Sequence, residues 1–331
     1  MADLSPTPTP TPASASASAR STAGPAGGSD VEPHHPDHQD RPAAPTVTVG
    51  LPVYNGERFL ERSLRSVLDQ TWTDLEVVVS DNGSTDRSLE IVREVAAGDP
   101  RVTIVASDTN RGAAWNYNNT LANARGRYFR WHADDDWFEP TLITKLVEAL
   151  DGDDGAVVAH SWTRFVDDDG ATTREFPDDL GVDSPEANER LARAVVNLTF
   201  CNPVFGLIRT DVLQRTAKIA SFPGSDATLL YELAINGRFA VVPELLYNRR
   251  PGNSIKTNNS MRAVAEWFSP NGSGGRFPAL AQFIETVRAI LRAPLSTGER
   301  IRCGVAFVRH WPIDYARKSR RRARRRRQRA V

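Results

Sequence analysis

The chain has 331 residues, 40% of them hydrophobic, with 41 basic and 41 acidic side chains, a composition with ample material for a core. Two distant cysteines, Cys201 and Cys303, exclude a disulfide framework and suit a reducing compartment, and no apolar run reaches the length of a transmembrane helix. The zero net charge hides an asymmetry: the last fifteen residues carry ten Lys or Arg and no acid, leaving 31 basic against 41 acidic residues elsewhere.

Residues 1–45, opening MADLSPTPTPTPASASASARSTAGPAGGSD, have no apolar stretch of a signal peptide and read as a disordered Pro/Thr/Ala/Ser-rich tail. From Thr46 a regular alternation begins. TVTVGLPV reads as a strand, and GERFLERSLRSVLDQ as a helix with Phe59, Leu60, Leu64, Val67 and Leu68 on one face. LEVVVSD is a continuous apolar strand, TDRSLEIVREVAAG a helix with a Gly stop, and RVTIVAS a third strand. WNYNNTLANARG reads as a helix, RYFRWHA as a fourth strand, and PTLITKLVEALDG as a helix with Pro140 near its start. This spacing predicts a parallel, doubly wound sheet with right-handed crossovers.

Beyond Asp151 the order loosens. AVVAHSWTRFV, VFGLIR and FAVVPELLYNRR read as strands separated by the helices SPEANERLARAVVN and SDATLLYELAING, with antiparallel strands expected in the same sheet. FPALAQFIETVRAILRA and STGERIRCGVAFVRHW read as two terminal helices with apolar faces, and no internal repeat is present.

Ligands of such sheets bind outside the carboxyl ends of the strands. Three polar clusters fall there: PVYNGE, SDNGSTD and ADDD. A solvated turn before a helix accounts for Asp134, Asp135 and Asp136 taken alone; three such clusters on one crevice favour a binding site. Asp81 can accept a hydrogen bond from a nucleobase imide, and Tyr54 can offer a stacking face. Carboxylates after the fourth strand can hold a divalent cation beside a diphosphate. His132 reads as a satisfied buried histidine, and His34, His35 and His38 in the tail leave no zinc constellation. Neither a Gly-Lys-Ser/Thr phosphate loop nor a Gly-x-Gly-x-x-Gly turn follows the first strand.

VGLPVYNGERFLERSLRSVLDQTWTDLEVVVSDNGSTDRSLEIV, NRGAAWNYN, ARGRYFRWHADDDWFEP and SDATLLYELAINGRFAVVPELLYNRR resemble family-two glycosyltransferases of the GT-A fold, over roughly residues 46 to 254. The resemblance implies an α/β, Rossmann-like doubly wound mixed sheet with helices on both faces, plus C-terminal helices. It divides the chain into a glycosyltransferase domain at 46–254 (nucleotide half 46–150, acceptor half 151–254), a helical segment at 255–316 and a basic tail at 317–331. Pro52, Val53, Tyr54 and Asn55 would line the nucleotide, with Asp81 on the base and Arg111, Asp134 and Asp135 also on the donor. Asp135 would hold a divalent Mn or Mg. The first acid of the family's Asp-x-Asp motif falls on Ala133, so Asp134 is the alternate ligand and strict metal dependence is open. Asp226, preceded by Ser225 where the family commonly has Glu, would be the general base. YNRRPGNS lacks the family's His; Arg249 or Arg250 would contact phosphate instead, or form a solvated basic pair.

The implied activity moves a sugar from a UDP-, GDP- or dTDP-linked donor to a hydroxyl of a glycan or lipid-linked acceptor, with inversion. The alternatives are a non-catalytic nucleotide- or glycan-binding module of the same fold and a sugar nucleotidyltransferase. The arginine-rich end reads as a solvated disordered end, a nucleic-acid contact or an electrostatic anchor to anionic lipid, with the anionic membrane surface favoured; the expected location is the cytoplasm, with peripheral attachment at the inner face of the cell membrane in that last reading. Without aromatic interleaving or a recognised module, the same end argues against nucleic acid.

Overall fold

The computed structural model describes residues 44–250, 266–268 and 277–328, with side chains to residue 312. The expected N-terminal tail up to residue 43, most of the 255–276 stretch and residues 329–331 lie outside the described residues.

Fully buried strands β1 (Val47–Val53) and β2 (Leu75–Asp81) lie side by side in parallel, as their near-continuous apolar runs require. β3 (Val102–Ala106) adds to β2 and β4 (Tyr128–Trp131) to β1, both parallel. Their crossovers are α1 (Leu60–Leu68), α2 (Ser88–Val95) and α3 (Ala113–Ala122). Gly50 lets α3 approach β1, because a Cβ there would meet Thr120 Oγ1 at 2.4 Å and Phe129 at 2.7 Å.

The second half mixes directions. β5 (Trp137–Phe138) precedes α4 (Leu142–Asp151), β6 (Ala156–Val166) turns back into β7 (Thr172–Phe176), and α5 (Ala187–Asn197) leads through a 3₁₀ turn (Asn202–Phe205) to β8 (Leu207–Arg209). Then come α6 (Thr210–Gln214), α7 (Ser225–Asn236) and β9 (Arg238–Arg249). The sheet order is β3-β2-β1-β4-β8-β6-β9-β5, with β7 on β6. β8 runs antiparallel to β4 and β6, as expected for this half, whereas β9 is parallel to β6 because α7 carries the chain back across the sheet. β5 and β7 were not foreseen; one is two residues long and the other is an exposed hairpin arm.

One core packs α1, α2 and α4 on the face that carries Val47, Val49, Leu51 and Val53; a second packs α3, α5 and α7 on the opposite face. Helices α8 (Pro278–Arg292) and α9 (Thr297–Gln328) join this second core through Ala289, Ile290, Cys303 and Phe307. The backbone of α9 stays helical past Pro312 into the basic run, where the sequence suggested a separate tail. Among the described residues, no helix is long and apolar enough to cross a membrane.

Candidate functional site

The loops after β1 and β2 are zipped together by the polar residues of YNG and NGSTD. Asn55, at φ 52°, donates its N–H to Ser84 Oγ (3.0 Å) and accepts from Thr85 N–H (2.9 Å). Asn tolerates that left-handed conformation better than most residues. Gly56 N–H donates to Ser88 Oγ (2.9 Å), Glu57 N–H to Asp86 Oδ2 (3.1 Å), and Arg87 N–H to Glu57 Oε2 (3.0 Å). These bonds occupy Ser84, Thr85 and Asp86, and α2 begins only at Ser88, past the Thr85-Asp86 pair expected to open it.

Asn82 makes a second zip. Its N–H donates to Val53 C=O (3.0 Å), its side-chain nitrogen to Asn110 Oδ1 (3.0 Å), and its Oδ1 accepts from Arg111 N–H (2.9 Å). Asn116 reaches the same Val53 carbonyl from α3 at 3.1 Å. Beside this lattice Asp81 is 3% exposed; Oδ2 accepts from Ser84 N–H at 3.3 Å, and Oδ1 is buried without a partner among the described residues.

A cavity of about 490 Å³ opens over these loops, lined among others by Pro52, Tyr54, Asn55, Asn82, Asn110 and Asn116, and by Asp134 and Asp135. A second, of about 240 Å³, is lined by Asp135, Asp136, Asp226, Arg249 and Arg250. Ala113, Tyr117, Ala133, Asp135 and Trp267 border both, so the two are neighbours across the acidic loop.

The three adjacent acids have different surroundings. Asp136 is buried: Tyr247 OH donates to Oδ2, and Arg250 N–H donates to Oδ1 at 2.8 Å. Burial and the neighbouring Asp135 still push its carboxyl up to about 7, against the pull of Arg249, Tyr247 and Arg250. Asp134 is pushed up to about 8 by desolvation and by Asp135 and Asp136. Gly56 makes room for it, since a Cβ there would lie 2.4 Å from Asp134 Oδ2. Burial and the same three acids keep the Tyr117 phenol protonated beyond its ordinary range.

In the second cavity Asp226 opens α7, and its Oδ1 accepts the N–H of Ala227 at 2.9 Å. Arg249 is held by Asn202 Oδ1; burial opposes its charge, but Tyr247, Asp136 and Asp226 overcome that and raise its pKa. Arg250 donates to the Asp135 carbonyl and lies 3.9 Å over the Phe59 ring.

Of the residues singled out from sequence, Pro52, Tyr54, Asn55, Asp134 and Asp135 line the larger cavity, and Asp135, Asp226, Arg249 and Arg250 the smaller. Val53, Asp81 and Arg111 line neither. Val53 puts its side chain in the core, and Arg111 stacks on Trp115 at 4.1 Å. His132 is fully buried, with Nε2 2.9 Å from Ser63 Oγ. Asn82, Asn110, Asn116, Tyr117 and Trp267 were missed, although the density of Asn in SDNG, TNRG and WNYNN is a readable signal.

Among the described residues no three His, Cys, Asp or Glu side chains converge on a metal position. The fit is to a different kind of site. Magnesium-type cations are commonly held by one or two carboxylates, with substrate phosphate oxygens completing the shell. Asp134 and Asp135 on the cavity wall are the two adjacent carboxylates that could serve as such a donor set.

The model of the family Glycosyl transferase family 2 matches residues 48–216. Chondroitin synthase of Escherichia coli is 33% identical over 126 residues, covering 38% of this chain and 18% of that protein, so the chain spans less than a fifth of this relative. By fold, the structure of S. aureus TarS 1-349 in complex with UDP superposes with a TM-score of 0.56 at 18% identity, covering 81% of this chain and 72% of that one. The mannosyltransferase PcManGT from Pyrobaculum calidifontis, in complex with GDP-Man and Mn2+, gives 0.51 at 17% identity, covering 82% and 74%. The mixed sheet thus has the GT-A glycosyltransferase architecture, and with the match spanning half its length, the chain belongs to glycosyl transferase family 2.

Proposed function

We propose that the protein transfers a sugar, with inversion, from a nucleotide-diphosphate donor to a hydroxyl of a glycan or lipid-linked acceptor. The observation that carries this reading is the pair of adjoining cavities, with Asp135 on both and Asp226 only on the second. In this reading the first cavity takes the donor. Tyr54 stacks on the base and Asn55, Asn82 and Asn110 offer polar edges on its wall. Asp81 lies behind that wall, next to Asn82, and the base would have to reach past it for the unpartnered Oδ1 to accept the imide proton. The donor's UDP, UDP-GlcNAc or GDP-Man character follows only by analogy with the ligands named for TarS and PcManGT.

Asp135, with Asp134 as alternate, would hold a divalent cation, which when bound neutralises the leaving diphosphate. Arg249 and Arg250 face the same loop and supply fixed positive charge there. Asp226 takes the proton of the acceptor hydroxyl, whose oxygen attacks the anomeric carbon as the bond to the diphosphate breaks. Arg249 shares the wall of the second cavity with Asp226 and puts a fixed positive charge beside it. The nucleotide half (46–150) then forms nearly all of the donor cavity, and the acceptor half (151–254) closes the second. The protein acts in the cytoplasm, peripheral at the inner face of the cell membrane. Screening nucleotide sugars by thermal shift, with and without Mn, tests the donor assignment; no stabilisation by any nucleoside diphosphate would refute it.

A further inference from the structure

Of the nine large apolar side chains exposed among the described residues, eight lie on α8, on its N-cap Phe277, or on α9. On α8, Leu280, Ile284, Val287 and Leu291 are 37% to 62% exposed and repeat every three or four residues, which makes one continuous stripe. The core contacts of α8 run instead through Thr286, Ala289 and Ile290. On α9, Ile301, Val305 and Val308 are 59% to 63% exposed, while Cys303 and Phe307 face inward, with Phe307 5.3 Å from Phe283. Scattered exposed apolar residues need no explanation, but two stripes on adjoining helices at one end of the chain do.

We propose that α8 and α9 dock the protein on an anionic lipid bilayer. α9 continues as helix into the run that holds ten Lys or Arg, whereas the rest of the chain carries ten more acids than bases. An exposed apolar stripe leading into a basic run is the pattern of a helix lying in the membrane interface: apolar side chains enter the acyl boundary and cations meet anionic headgroups. Pairing with a second copy would cover the stripes too, and the oligomeric state in the test below separates that case from the bilayer. The anionic bilayer satisfies both features.

The docking face is braced against the acceptor side of the site. Gln282 on α8 donates to the Gly224 carbonyl at 2.8 Å, at the start of the helix that presents Asp226. Arg292 on α8 pairs with the buried Glu232 of that helix at 2.9 Å. Resting on the proposed transferase reading, this narrows the acceptor to a hydroxyl carried by a lipid in the same bilayer.

The test is co-sedimentation of the full chain with phosphatidylcholine vesicles, with and without phosphatidylglycerol. Wild type should sediment only with the anionic vesicles, and salt should release it. Leu280→Glu/Leu291→Glu and, separately, Val305→Glu should lower partitioning at least about tenfold with unchanged melting temperature, and deletion of residues 317–331 should do the same. Because Leu280, Leu291 and Val305 line neither of the two cavities of the site, nucleoside-diphosphate binding should be retained in every variant. If wild type binds no nucleotide while vesicle docking holds, the transferase reading fails and the docking face stands. Apolar variants that sediment like wild type overturn the proposal. So does a wild type that ignores vesicles but forms a dimer, by light scattering, that the variants dissolve.

Discussion

Arg250 N–H donates to Asp136 Oδ1 across 2.8 Å, tying the end of β9 to the acidic loop after β4. Tyr247, three residues earlier on the same segment, bonds the other oxygen. Asp136 is therefore committed to holding two strands together, and Asp134 and Asp135 are the acids that wall the larger cavity. A run of three acids thus divides into one, Asp136, that ties strands together beside the smaller cavity and two that wall the larger one.

That division predicts unequal substitutions. Asp135→Asn should abolish the Mn-dependent gain in nucleoside-diphosphate affinity, and Asp134→Ala should reduce it less. Asp136→Asn should act chiefly on melting temperature. Calorimetric titration with and without Mn reads the first two; equal, mild effects would return the loop to a solvated turn.

Gly56→Ala reaches the same loop from the opposite side. The new Cβ would fall 2.4 Å from Asp134 Oδ2, so the carboxylate must turn away. Overpacking of this kind costs roughly 1–3 kcal/mol. The variant should fold with a lowered melting temperature and bind nucleotide with a smaller Mn-dependent gain; an unchanged gain would separate Asp134 from the cation.

Asp81→Ala should weaken nucleoside-diphosphate binding by roughly 1.5–3 kcal/mol, the worth of a hydrogen bond to a charged group. Asp81 Oδ1 has no partner among the described residues, while Oδ2 accepts from Ser84 N–H at 3.3 Å, so the substitution frees that one long-bonded N–H and the melting temperature is read beside the affinity. Unchanged affinity in the folded variant would move the base elsewhere.

Asp226→Asn keeps shape but cannot take a proton at neutral pH. Donor affinity should stay near wild type while the transfer rate falls by about two to four orders of magnitude. Asn caps a helix nearly as well as Asp, so stability should hardly move. Wild-type turnover by the folded variant would mean that the base lies elsewhere.

His160 gives a pH dependence. It is buried, both ring nitrogens lack partners among the described residues, and desolvation lowers its pKa from 6.5 to about 4. The unfolded chain therefore binds its proton first. The stability associated with neutral His160 is present above about pH 6.5 and is lost as pH falls toward 4, amounting to roughly 3 kcal/mol. Melting curves over that range should flatten in His160→Gln; parallel losses in both proteins would put the acid sensitivity on other groups.

The sequence by itself determined the alternation of strands and helices and the crevice they create. Apolar runs such as LEVVVSD are local signals, and the parallel-sheet rule then puts PVYN, SDNG and ADDD at one end of neighbouring strands. Tertiary structure alone decided which polar residues those loops spend on each other. Asn55, Ser84, Asp86 and Asn82 meet partners about thirty positions away, and nothing local distinguishes a zipped Asp86 from a cavity-wall Asp134. The roles within Asp134, Asp135 and Asp136 likewise depended on β9 returning beside β5, more than a hundred residues later. Periodicity showed that α8 and α9 have apolar faces, but which of those faces the core covers is settled only by long-range packing, because burial belongs to the neighbours a residue meets and not to the residue.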